Sequence, residues 1–136
     1  MERLTIFNYQ VEIDRVATLD WYAFRGEWGC DCRDCRNYLA EAKAKNLPPE
    51  MTEVLNSLGI PPEKATYLGE LYTDENGVHY QVSYRAAGRI LAEPKEKVIE
   101  TFGRCCHEPY PYGAPDFPEP NFDIEFYPVL PLLLDE

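Results

Sequence analysis

Between residues 4 and 13, Thr5, Phe7, Tyr9, Val11 and Ile13 alternate with Asn8, Gln10 and Glu12. That period of two predicts a single strand with one buried face. The aromatic-rich stretch Thr18-Leu19-Asp20-Trp21-Tyr22, running on to Trp28-Gly29, is read as a connection.

From Asp34 the period changes to 3.6: Cys35, Tyr38, Leu39 and Ala42 fall at i, i+3, i+4 and i+7, an amphipathic helix that Asn46-Leu47-Pro48 ends. Asp31 or Asp34 is the expected N-cap, which sets Cys32 and Cys35 around the first turn. A second helix opens at Pro49 and buries Met51, Val54, Leu55 and Leu58. It stops at Gly59, with Ile60 closing back on Leu55.

Tyr67–Thr73 and Val78–Ala86 read as strands joined by Asp74-Glu75-Asn76-Gly77, with Asn-Gly supplying positive φ angles. Gly88 is expected to mark a bulge before Arg89–Ala92 continues the strand. A hairpin is favoured over a short helix for residues 94–102, because Val98, Ile99, Thr101 and Phe102 prefer strand. Five prolines between residues 105 and 120 predict an extended loop. Phe122, Ile124 and Phe126 then alternate with Asp123, Glu125 and Tyr127 in a last strand. The fold class this implies is α+β: a largely antiparallel sheet of five or six strands with a two-helix hairpin packed on it, in one domain over residues 1–136.

Composition adds function classes to set aside. Thirteen basic against twenty-four acidic side chains give a charge of -11, a field that repels polyphosphate, so nucleic acid is not an expected partner. The N-terminus lacks a signal-peptide pattern and no apolar run spans a bilayer, so the expectation is a cytoplasmic protein without a membrane partner. In a reducing compartment, five cysteines are thiols or metal ligands rather than a disulfide framework.

Three of the five lie in Cys30-x-Cys32-x-x-Cys35, soft donors able to converge on zinc. A fourth ligand is sought in Cys105, Cys106 or His107; His79 lies on the polar face of its strand. Two other readings compete: cysteines packed as small hydrophobes, and redox chemistry between Cys32 and Cys35 at a helix N-terminus. A small-molecule-binding domain is a further alternative and needs an apolar pocket.

No phosphate loop, nucleophile elbow or His-Glu-x-x-His is present, and the acidic residues read as solvated surface. The sequence therefore supports no enzymatic activity and leans toward action through structure or protein contacts. Val129-Leu130-Pro131-Leu132-Leu133-Leu134 is too short for a membrane. It is expected to lie back across the sheet or to meet a second chain, a homodimer or a protein partner.

Cys30-x-Cys32-x-x-Cys35-x-Asn37-Tyr38, with Leu47-Pro48-Pro49-Glu50 and Leu58-Gly59-Ile60, resembles a group of small acidic bacterial proteins sharing a Cys-x-Cys-x-x-Cys-x-Asn-aromatic run. The resemblance covers roughly residues 10 to 91 and, more loosely, the closing strand and its leucine-rich tail. It implies a bacterial source and no particular substrate, and the Cys105-Cys106-His107 segment is outside the shared pattern.

Overall fold

The computed structural model describes residues 1–26, 28–95, 102–109 and 113–132. It is α+β, with seven antiparallel strands and three helices among the described residues. The strands are β1 (Glu2–Ile6), β2 (Tyr9–Ile13), β3 (Tyr67–Asp74), β4 (Gly77–Ala92), β5 (Gly103–Cys106), β6 (Asn121–Phe126) and β7 (Val129–Leu130). The helices are α1 (Arg15–Ala23), α2 (Arg33–Lys43) and α3 (Pro49–Leu58).

The path β1-β2-β4-β6-β5 makes the sheet, and the 16-residue β4 also pairs with β3 and β7. Val78, Tyr80, Val82, Tyr84 and Ala86 of β4 are all buried, as are Phe122, Ile124 and Phe126 of β6. The hairpin over residues 94–102 lies largely outside the described residues.

The first expected strand is two. Phe7 and Asn8 take positive φ (50° and 67°) and fold it into a β1–β2 hairpin with Ile6 opposite Tyr9. The reason is tertiary: the Phe7 ring packs edge-on against Phe126 at 5.6 Å, so an apolar residue occupies a turn position.

The expected aromatic connection is helix α1. Asp14 caps it by accepting the Ala17 N–H (3.0 Å), and Thr18 and Tyr22 are its buried residues. Two side chains tie α1 to the middle of β4: the Tyr22 hydroxyl donates to the Arg85 carbonyl, and Thr18 Oγ1 accepts the Ala87 N–H.

Helix α3 has the expected Pro49 start and left-handed Gly59 (φ 76°). Its Schellman closure is formed by the N–H of Ile60 on Leu55 O and that of Gly59 on Asn56 O. Helix α2 ends the same way with Lys45 in the left-handed position (φ 61°), where the Asn46 N–H donates to Glu41 O.

Gly88 (φ 140°) is not the bulge; the ladder shifts between Gln10 and Val11 on β2. Glycine is required at 88 because a Cβ there would sit 1.9 Å from the Glu12 carbonyl oxygen. In the β3–β4 turn Gly77 has positive φ and Asn76 does not, its N–H being held by the Asp74 carboxylate at 2.9 Å.

The proline-rich segment begins later than expected, since Cys105 and Cys106 belong to β5, paired with Ile124 and Asp123. At the far end Leu130 is buried opposite Val78, while Leu132 is exposed. No helix among the described residues is long and apolar enough to cross a membrane.

Candidate metal centre

The approach to α2, from Trp28 to Asp31, has no regular secondary structure. It delivers Cys30 to the helix start, where the N-cap is Cys32 rather than either aspartate. Cys32 is extended (φ -73°, ψ 163°) and its Sγ accepts the Cys35 N–H at 3.4 Å. A cysteine sulfur does the work of the usual carboxylate or hydroxyl at this end of the helix dipole.

Cys35, one turn on, faces inward and is buried, and the Trp28 indole N–H donates to its sulfur at 3.3 Å. Cys30 Sγ lies 3.3 Å from Cys32 Sγ, and both residues are exposed. The three sulfurs all lie within 4.8 Å of one another, and no other such group of potential metal ligands occurs among the described residues.

The sheet holds this helix start in place. The Tyr80 hydroxyl donates to the Asp34 carbonyl (2.6 Å) and accepts from Asn37 Nδ2 (3.3 Å). Asn37 Nδ2 also reaches the Pro131 carbonyl at 3.1 Å, fastening the C-terminal segment to the same turn. Tyr38 packs edge-on against Tyr80 with ring centres 5.5 Å apart. The buried stripe of α2 is therefore Cys35, Asn37, Tyr38, Glu41 and Ala42, rotated from the purely apolar stripe of the sequence, and Leu39 is half-buried.

The electrostatics differ sharply within the cluster. The Cys32 thiol is held below the ordinary cysteine range, chiefly by the Cys35 backbone N–H and with help from the Cys30 thiol. Cys35 is pushed up to about 12, first by burial and then by its Cys30 and Cys32 neighbours, against the opposing Trp28 N–H. Arg33 and Arg36 lie on the same turn but engage Asp34 (3.1 Å) and Asp31 (3.8 Å).

Cys105 and Cys106 of β5, at the sheet's edge, and His107 just after it are elsewhere, and none belongs to the three-sulfur group. Cys105 is buried, which pushes its thiol up to about 12; the Cys106 thiol donates to Glu108 O, and His107 pairs with Glu93 at 3.2 Å. His79 is stacked on Tyr72 and bonded to Asp74. Asn37 stood in the motif without a role, and Trp28 and Tyr80 were given none at the site, because nothing in local spacing marks a residue that reaches a site across a fold.

The acidic residues are not all solvated surface. Asp123 is buried against Arg85 at 3.0 Å, Glu125 is buried and takes Arg104 and Tyr127, and Glu41 is buried with its Oε1 unpartnered among the described residues. A groove of about 370 Å³ lies beside α2 and α3, bordered by Lys43, Lys45 and Glu63 as well as Leu47 and Pro62.

No family model matches the chain, and no curated protein or solved structure matches it.

Proposed function

We propose that Cys30, Cys32 and Cys35 bind one thiophilic metal ion, zinc first among them, and that the protein acts through this centre and its protein contacts rather than as an enzyme. The supporting observation is the mutual approach of three sulfurs within 4.8 Å. Tetrahedral zinc with Zn–S bonds of ~2.3 Å sets its sulfurs about 3.8 Å apart, so the spacing suits a single ion. Cys32 brings a thiol held below the ordinary cysteine range, Cys35 anchors the ion to α2, and Trp28 orients the Cys35 sulfur from behind. The fourth position falls to water or to a donor beyond the described residues.

Bound metal would fasten the irregular Trp28–Asp31 segment to the first turn of α2, so metal affinity is also folding free energy. A reducing compartment, as expected of a cytoplasmic bacterial protein, keeps the thiols available.

The test is elemental analysis of protein purified without chelator, with close to one zinc per chain expected. Cys32→Ser should lower both the metal content and the melting temperature. Metal-free protein that takes up no zinc, with five free thiols on denaturation, would leave the cysteines as packing residues.

A further inference from the structure

We propose that Cys30 and Cys32 are a dithiol–disulfide couple whose closure empties the metal centre. Its release step rests on the metal reading; its exchange step does not. Cys32 and Cys35 are the pair suggested by Cys-x-x-Cys spacing, but the geometry selects Cys30 and Cys32. These two thiols are exposed, whereas Cys35 is buried with its sulfur held by the Trp28 N–H. Their sulfurs are already 3.3 Å apart, so a disulfide of ~2.05 Å needs an approach of only about 1.2 Å. The Trp28–Asp31 segment that must give way carries no helix or ladder.

The oxidant is a small disulfide, R′S–SR′. The Cys32 thiolate attacks one of its sulfurs, the S–S bond breaks, and R′S⁻ leaves, giving a Cys32–SR′ mixed disulfide. The Cys30 thiolate then attacks Cys32 Sγ and expels the second R′S⁻. The chain gives up two electrons and two protons, and two R′SH are formed. Two of the three sulfurs are thereby lost as thiolate ligands, and Cys35 alone cannot hold zinc. A reducing thiol reverses both steps.

The sequence offers a direct readout, since cleavage after Arg25, Arg33 and Arg36 puts Cys30 and Cys32 on one peptide and Cys35 on the next. Zinc-loaded and chelator-stripped full-length protein would each be treated with oxidised glutathione, alkylated, cut with trypsin and weighed, with zinc release followed by a chromophoric chelator.

Expected is a residue 26–33 peptide lighter by two hydrogens and unalkylated, an alkylated Cys35, and one zinc released per disulfide. Cys35→Ser should still close the disulfide, and Cys30→Ser should stop at the mixed disulfide. A cross-link between the two peptides, full alkylation of all three cysteines, or closure with zinc retained overturns the proposal. Closure in a chain that binds no zinc supports the exchange step and refutes the metal reading instead. Zinc binding without closure does the reverse.

Discussion

Tyr80→Phe tests whether the sheet positions the metal centre. The substitution keeps the ring that packs on Tyr38 and removes one oxygen, which donates to the Asp34 carbonyl at 2.6 Å and accepts from Asn37 at 3.3 Å. Asn37 keeps its bond to the Pro131 carbonyl, and the Asp34 carbonyl lies within α2. Neither partner is therefore stranded outright. Two bonds at a net ~1 kcal/mol each give an expected loss of about 1–2 kcal/mol.

Both bonds act on the turn between Cys32 and Asn37, so the loss is felt first where the ligands are. A local penalty of that size corresponds to roughly a 5- to 30-fold weaker metal affinity, since 1.4 kcal/mol is a factor of ten. Urea denaturation of stripped protein gives the stability term, and competition with a chromophoric chelator gives the affinity. Tyr22→Phe, which removes a buried hydroxyl bonded to the Arg85 carbonyl rather than to α2, serves as the control. A Tyr80→Phe protein that loses stability with unchanged metal affinity would refute the idea that Tyr80 preorganises the centre.

Three other substitutions probe the frame around it. Gly88→Ala should unfold the protein or cost at least about 3 kcal/mol by urea midpoint, because positive-φ strain adds to a 1.9 Å clash with Glu12 O. Asp123→Ala should cost about 3–5 kcal/mol by leaving the Arg85 guanidinium buried and without its carboxylate, and Arg85→Met with Asp123→Leu should recover most of that. Glu41→Met should stabilise by about 1–3 kcal/mol, because it replaces a buried carboxyl whose Oε1 has no partner among the described residues. Burial raises the Glu41 pKa, so the native chain regains stability as pH falls through that raised value, and the advantage of Met should shrink there in a melting series.

Legibility followed how local each cause was. Helix α3 was readable to the residue at both ends, since Pro49 and the Gly59–Ile60 closure act within one turn. The cysteine cluster was readable for the same reason: three donors within six residues converge through one extended segment and one helical turn. Helix α1 was hidden because its apolar residues do not mark its buried face. Val16 is 70% exposed, whereas Thr18, a polar residue, is buried. Phe7 hid the first turn in the same manner, an apolar side chain recruited from a turn by a ring on a distant strand.

The misread acidic residues carry the larger point. Arg85 stands directly opposite Asp123 across β4 and β6, Arg104 opposite Glu125 across β5 and β6, and Arg89 opposite Glu12 across β4 and β2. Each pair is closed by a hydrogen bond of 2.7–3.0 Å. Three of the strand interfaces on the path β2-β4-β6-β5 thus carry an Arg–carboxylate pair at matched positions. Side chains alternate faces along a strand, so slipping β6 by one residue would drive Asp123 and Glu125 onto the side now filled by Phe122, Ile124 and Phe126. Apolar alternation alone already disfavours that slip. A buried carboxylate severed from its arginine adds a further cost of several kcal/mol. A two-residue slip keeps every side chain on its face and escapes the apolar penalty, and here the charges discriminate by direction. A slip that sets Arg85 opposite Asn121 takes Asp123 from its arginine, whereas one that sets Arg85 opposite Glu125 offers a new pair, so the arginines on β4 and β5 add to the apolar pattern against one direction of slip only.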